Sequence, residues 1–351
     1  MINQYLENPH NCELGNNNLI PSYKFNWFDW FCLWYPPGWL ILFNRHWQHY
    51  HSDRDGWKWL EYGLFLIPCG FYLAVLIRWL RLGCRSPNND ITEFNPHYQQ
   101  LFGREILAPI VKHYFRAKLH NIENLSIQNL SRTKPVIAIM NHAGMSFPWD
   151  FISLSYLLSE ECGLPVQPLA GTALFDHVLM RWWLPVGWSN VLGGVRAELN
   201  SFKSAIVEHK NVLYAPEGLR GPMKGWGQRY QLQAFDISFV QLSQNYQVPI
   251  LPVICIGNEK LHPFTINFRW LQRLFRMPFL PLSPLIFIFA LFPSMGVWAM
   301  RSHLNYYIQP VDITTKISSD INQRLAAYQK AQKLREYMQI QINQLLQKNS
   351  I

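Results

Sequence analysis

One stretch constrains this chain more than any other: Pro135 to Asp150, PVIAIMNHAGMSFPWD. Val136, Ile137, Ala138, Ile139 and Met140 form an apolar, largely β-branched run that stops abruptly at Asn141-His142-Ala143-Gly144, and a helix start follows at Pro148. A short apolar run bounded in this way reads as a buried strand, and proline suits the first turn of a helix. The segment therefore delivers a histidine at the carboxyl end of a core strand. In open α/β sheets ligands bind in the crevice beyond those ends, which makes His142 a candidate for chemistry. The competing reading is a histidine satisfied by local hydrogen bonds in a strand-to-helix turn.

The chain after Pro87-Asn88-Asn89-Asp90 alternates strand and helix patterns, as in an α/β fold with a mainly parallel central sheet covered by helices. Strands are predicted at Val136–Met140, Val166–Ala170, Val191–Val195, Val212–Ala215, Ile250–Gly257 and Leu304–Gln309, and helices at Gly103–Phe115, Pro148–Ser159, Phe202–Glu208 and Ala234–Gln244. A last helix, Asp320 to Gln347, is capped by Asp320 and carries Ile321, Leu325, Tyr328, Leu334, Tyr337 and Ile340 as its packing stripe. The organisation expected is a polar tail (1–24), an apolar membrane-anchoring region (25–86), a main domain (91–318) and a C-terminal helix (319–351).

Lys and Arg number 31 against 22 Asp and Glu, a net charge of +9, which suits an anionic partner. The 15 Trp, 16 Tyr and 22 Phe tilt that partner towards a membrane surface and away from nucleic acid, because amphipathic rings favour membrane interfaces. Phe25 to Phe43 is nearly all apolar but broken by Asp29 and Pro36-Pro37-Gly38, as a shallow or re-entrant segment would be. Gly63 to Ile77, inside Trp57–Leu82, is uncharged yet short for a straight span. Arg78, Arg81 and Arg85 follow it, and the positive-inside rule puts them and the main domain on the cytoplasmic side. Phe268 to Met277 sets Arg269, Arg273 and Arg276 on one helical face, a membrane-surface pattern or a solvated face. Met277 to Met300 is uncharged but interrupted by four prolines, so it reads as apolar chain that lines a lipid site or dips into the interface. The six cysteines show no CxxC pair and read as reduced thiols without a metal; His46, His49 and His51 read as aromatic packing ahead of metal ligation.

Four motifs end the proposed strands in order: Asn141-His142-Ala143-Gly144 through Phe147-Pro148-Trp149-Asp150; Gly193-Gly194-Val195-Arg196; Pro216-Glu217-Gly218-Leu219-Arg220-Gly221; and Val248-Pro249-Ile250-Leu251-Pro252-Val253. In that order and spacing they resemble the blocks of the glycerolipid acyltransferase superfamily, which includes lysophosphatidate acyltransferases. The resemblance covers roughly residues 105 to 312, with Tyr114-Phe115-Arg116 and Ile122-Glu123-Asn124-Leu125 as lead-in. One departure stands out. The commonest family pattern has the aspartate five residues after the histidine, and here it is eight. Eight residues of continuous helix rise about 12 Å, so a loop must intervene, with Asp150 in the first turn of the helix begun by Pro148, where a carboxylate is favoured and can reach back. The chain looks like the subgroup whose block ends in Pro-Trp-Asp.

What the resemblance implies is transfer of an acyl group from a thioester, acyl-CoA or acyl carrier protein, to a lipid hydroxyl. His142 would take the hydroxyl proton and Asp150 would hold its tautomer. Glu217 and Arg220 would bind the acceptor, Gly218 would let the backbone approach it, and Arg196 would be a second partner for a head group or for donor phosphates. A mutual surface ion pair is the plain alternative for Glu217 and Arg220. No cofactor is implied beyond the acyl donor as co-substrate, and Pro249 and Pro252 shape a strand edge. Without a Gly-x-Ser-x-Gly elbow a serine hydrolase fits poorly. The acceptor expected is a lysophospholipid such as lysophosphatidate; diacylglycerol or a long-chain alcohol is the enzymatic alternative, and a non-catalytic lipid-binding membrane protein the alternative of another class.

Overall fold

The computed structural model of the chain describes residues 21–88, 93–126, 135–143, 147–171, 173–176, 180–267, 281–310 and 323–348. Most of the expected polar tail, residues 144–146 of the expected turn, the expected arginine-bearing helix at 268–277, and Asp320 and Ile321 of the expected last helix lie outside them.

Among the described residues there are nine strands: β1 (Lys118–His120), β2 (Ile137–Met140), β3 (Val166–Ala170), β4 (Val195–Arg196), β5 (Asn211–Tyr214), β6 (Ile250–Ile256), β7 (Ile266–Asn267), β8 (Pro281–Leu282) and β9 (Asn305–Ile308). Seven form one sheet in the order β1-β9-β6-β2-β5-β3-β4, and β7 with β8 makes a separate antiparallel ribbon. Within the large sheet every pairing is parallel except β6 with β9. β2 is central, with Ile137 paired to Val212 of β5 and to Ile250 of β6. All four of its residues are buried, as a strand covered on both faces requires.

Among the described residues ten longer helices cover the sheet or extend from it: α1 (Trp27–Trp34), α2 (Trp39–Tyr50), α3 (Trp59–Phe65), α4 (Gly70–Arg81), α5 (Pro96–Phe102), α6 (Trp149–Cys162), α7 (Leu199–Val207), α8 (Ser238–Tyr246), α9 (Leu285–Leu291) and α10 (Gln323–Lys348). The helix predicted at Gly103–Phe115 instead continues α5 as two π-helical turns, Gly103–Leu107 and Ile110–Tyr114. Pro109 between them has no N–H to give to the helical ladder. The strand predicted at Val191–Val195 is also corrected. Val191 closes a helical turn, Trp188–Val191, and Gly193 at φ +81° reverses the chain before the two-residue β4. Sequence reading missed β1, whose three residues are too few for a periodic signal.

The segment read as a membrane anchor packs one face into the core. Cys32, Leu33, Trp39 through Phe43 and Trp47 are fully buried. The Trp39 ring meets Trp149 edge-on at 5.1 Å, and Phe43 stacks on Trp188 at 5.5 Å. Withdrawing one such ring from water is worth about 3 kcal/mol, so α2 is held as firmly as any core helix. Pro36-Pro37-Gly38 breaks the chain as a 3₁₀ turn between α1 and α2, and a β-carbon on Gly38 would sit 2.5 Å from Cys32 Cα. Among the described residues no helix is long and apolar enough to cross a membrane. Of Arg78, Arg81 and Arg85, on which the expected orientation leaned, Arg78 is buried in the fold and Arg81, though exposed, is paired to it. Arg78 donates to the Asp55 carbonyl at 2.6 and 2.9 Å beneath the Trp57 ring, and burial lowers its pKa to about 10. Arg81 forms a two-pronged pair with Glu61. His46 bonds Tyr98 and Glu105, and His51 stacks on Trp47 at 3.8 Å.

The packing stripe of α10 also differs from the sequence reading. Ala327, Ala331, Leu334, Met338 and Ile342 are buried against α8 and β6, whereas Leu325, Tyr328, Tyr337 and Ile340 are exposed. Two alanines let the helix approach closely where larger side chains would hold it off.

Candidate active site

β2 ends at Met140, and the next three residues build the site. Asn141 is buried and exchanges two hydrogen bonds with the main chain of β6: its Nδ2 donates to Cys255 O at 2.9 Å and its Oδ1 accepts from Cys255 N at 2.8 Å. That side chain extends the ladder one step past the strand and fixes where His142 emerges.

His142 and Asp150 are brought together across eight residues. Nδ1 of His142 lies 3.1 and 3.0 Å from the two carboxylate oxygens of Asp150. Asp150 is in the first turn of α6, fully buried, and accepts further bonds from Ala143 N at 3.1 Å and Phe151 N at 3.0 Å. Buried carboxylates need such donors. With Nδ1 so engaged, Nε2 of His142 has no protein partner among the described residues, and the side chain is 19% exposed. The ring packs edge-on against Phe151 at 4.8 Å. Burial works against its charged form, but Asp150 and then Glu217 outweigh that and raise the His142 pKa above the ordinary histidine value.

Beyond β5, Pro216 to Gly221 forms a tight loop under the histidine. Gly218 takes φ +54°, a left-handed conformation that glycine adopts without strain, and the space at its missing side chain is open. A β-carbon on Gly221 would stand 2.7 Å from the carbonyl oxygen of His142, so the loop touches β2 through a residue without one. Glu217 is fully buried: Oε2 accepts from Gln233 N at 2.7 Å and lies 3.9 Å from Lys224 Nζ, while Oε1 has no hydrogen-bond partner. Burial pushes its pKa up, against the pull of Lys224. Lys224 itself pairs with Glu259 at 2.8 Å.

Glu217 and Arg220 are not an ion pair. Arg220 is exposed, and its Nε donates to the main-chain oxygen of Glu217 at 3.3 Å. Arg196 sits apart, half-buried on the edge strand β4 with its guanidinium 5.1 Å from the Phe175 ring centroid. Three strand spacings of about 4.8 Å separate β4 from β2, so Arg196 is on the order of 14 Å across the sheet from the histidine strand.

Residues 116–256 match the sequence profile of the family described as Acyltransferase. Over this segment the chain is similar to the acyltransferase family. In this chain the matched segment carries β1 to β6 and with them His142, Asp150, Arg196, Glu217, Gly218 and Arg220. Uncharacterized proteins of Mycobacterium tuberculosis and Mycobacterium bovis are 26% identical to it over 259 residues, 72% of this chain and 68% of theirs. Among solved structures, the 1-acyl-sn-glycerophosphate (LPA) acyltransferase PlsC of Thermotoga maritima overlays with a TM-score of 0.37 and 12% identity, over 85% of this chain and 96% of that one.

Some parts of the candidate site lie outside the matched segment and were missed in the sequence. Asn258 is buried after Gly257 and donates to Asn141 O at 3.1 Å and to Asp150 Oδ2 at 3.4 Å. Tyr306 of β9 donates to Asp150 O at 2.7 Å. Gly257 offered a signal: it takes φ +105°, and a β-carbon there would collide with the carbonyl of His303. Nothing in the periodicity marks Tyr306 as a second support for α6.

Proposed function

We propose that the chain transfers a fatty acyl group from acyl-CoA or an acyl carrier protein to a hydroxyl of a lysophospholipid such as lysophosphatidate, with His142 as general base. The observation that carries this reading is the histidine itself, whose Nδ1 is held by a buried carboxylate and whose Nε2 is left for a substrate proton. As the acceptor oxygen attacks the thioester carbonyl, Nε2 takes its proton. The new C–O bond forms first. Collapse of the tetrahedral adduct then breaks the C–S bond, and the leaving thiolate recovers the proton from the imidazolium. Asp150 keeps the proton of the neutral ring on Nδ1 and stabilises the imidazolium. Arg220 would meet an anionic head group, Glu217 Oε1 would accept from an acceptor hydroxyl, and Arg196 would take a more distant anionic group.

The reading includes attachment to one face of a membrane. Trp27 is 80% exposed, Trp59 68% and Phe287 75%, and other large apolar side chains on α1, α3, α4 and α9 are exposed beside them. These helices touch: Phe28 packs on Trp59, and Tyr72 donates to the Ala290 carbonyl. A groove of about 730 Å³ adjoins α1, where Lys112, Arg116, Lys118 and Arg301 surround Trp30 and Trp34. Indoles beside clustered cations suit the headgroup region of an anionic bilayer.

The test is acyl transfer by the detergent-purified protein from labelled acyl-CoA and acyl carrier protein to lysophosphatidate, diacylglycerol and a fatty alcohol, beside His142→Ala. Transfer to lysophosphatidate that disappears in the variant supports the reading. Transfer that survives the substitution removes His142 as base, and binding of lipid without consumption of either donor replaces the enzyme with a lipid-binding protein.

A further inference from the structure

The outward face of α10 meets the loop that carries Arg220. Between them runs an open groove of about 550 Å³ lined by Arg220, Phe235, Asp236, Arg324, Leu325 and Tyr328. Its helical wall is fixed by the burial of Ala327, Ala331 and Leu334, which turns Arg324, Leu325 and Tyr328 outwards. The helix is also bonded to the segment that supports the site. Gln339 accepts from Leu232 N at 2.7 Å and donates to Tyr230 O at 3.0 Å, and Gln233 N in turn holds Glu217. Arg324 is therefore carried on an element locked to the catalytic loop.

Two exposed guanidinium groups share this groove with one carboxylate. Asp236 accepts at Oδ1 from Ser238 N at 2.8 Å at the start of α8 and from Tyr214 OH at 3.4 Å; both donors are neutral, so its carboxylate balances one of the two guanidinium charges and leaves one positive charge over. Like charges in one groove repel unless an anion lies between them, and guanidinium matches the oxygens of a phosphate in a two-pronged way. Leu325 and Tyr328, each more than half exposed, give the groove an apolar wall.

The geometry points to a phosphate-monoester subsite formed by Arg220 and Arg324, the second arginine supplied by a helix outside the matched family segment. This rests on the proposed acyl transfer and adds to it a residue that discriminates for a phosphorylated substrate. A phosphate monoester could come from either substrate, as the head group of the acceptor or as the ribose phosphate of a CoA donor.

Arg324→Gln and Arg324→Lys, compared with the unchanged chain, test the assignment. Steady-state kinetics would use lysophosphatidate against monoacylglycerol as acceptor, and acyl-CoA against acyl-pantetheine as donor. In Arg324→Gln the KM for one phosphorylated substrate is expected to rise about tenfold with kcat kept, its phosphate-free analogue to be unaffected, and Arg324→Lys to recover part of the loss. The substrate that responds names the source. Calorimetric titration with glycerol 3-phosphate and with adenosine 3′,5′-bisphosphate reads the subsite independently of turnover: one probe should bind about tenfold more weakly to Arg324→Gln. Unchanged KM values and unchanged probe binding overturn the subsite, as does an equal rise for phosphate-free substrates. An unchanged chain that transfers no acyl group would sink the functional reading, and the titration alone would then decide the subsite.

Discussion

The carbonyl oxygen of His142 stands 2.7 Å from where a β-carbon on Gly221 would be, so the histidine strand and the Glu217 loop meet with no room for a methyl group. Backbone on both sides leaves no flexible side chain to yield. Gly221→Ala is expected to push the loop from β2, destabilise the fold by about 1–3 kcal/mol and lower kcat/KM at least tenfold. Denaturant unfolding and acyl-transfer rates read the two effects; native rates in the alanine variant would show that the contact does not set the site.

The rate should follow the ionisation of His142 in a defined direction. A general base acts when neutral, and Asp150 with Glu217 raises the His142 pKa above 6.5 despite burial. Thus kcat/KM should climb with pH through a value above 6.5 and level off on the alkaline side. Asp150→Asn removes the charge, so the acid limb should move to lower pH while the plateau falls by about 10³ to 10⁴. A pH–rate profile checks both, and an acid limb that stays put in the variant excludes Asp150 as the cause of the shift.

His262 acts on stability with a fixed sign. It is fully buried after β6, near the Trp298 carbonyl, and burial lowers its pKa from 6.5 to about 4. The folded state therefore favours the neutral ring. The contribution is complete above pH 6.5 and is lost as pH falls towards 4, on the order of 3 kcal/mol in all. His142, with its raised pKa, works in the opposite sense, being most stabilising below pH 6.5. Unfolding midpoints at pH 7.5 and pH 5 should fall less for His262→Gln than for the unchanged protein; equal falls would remove His262 from the account.

Attachment to anionic bilayers should depend on indoles and on charge. The full chain is expected to sediment with phosphatidylglycerol-containing vesicles. Trp27→Ser combined with Trp59→Ser should reduce the bound fraction severalfold with little change in thermal stability, because both rings are mostly exposed. Salt should weaken binding of both proteins by screening the cations around the α1 groove. Vesicles that pellet without the protein would discard the docking face.

Much of this architecture was legible in the chain itself. The β-branched run ending at Asn141-His142 specified a buried strand because a short apolar run can be satisfied only by burial on both faces, and structure and reading agree on β2, β3, β5, β6 and β9 to within a residue or two at each end. Pro148 set the start of α6 through its fixed backbone angle, which let Asp150 be assigned to the first turn despite the unusual spacing. What sequence could not contain was the partner of each outward-looking group. Whether Phe25 to Phe43 dips into lipid or packs against Trp149 depends on a surface more than a hundred residues away. The same holds for Arg78, whose neighbour is the Asp55 carbonyl, and for α10, whose alanines face the sheet while its larger side chains do not. Local pattern fixes which residues need burial or a turn, because those demands act within a few residues of chain. Tertiary packing alone decided what covers them, placed Asn258 and Tyr306 behind Asp150, and set Arg324 across a groove from Arg220.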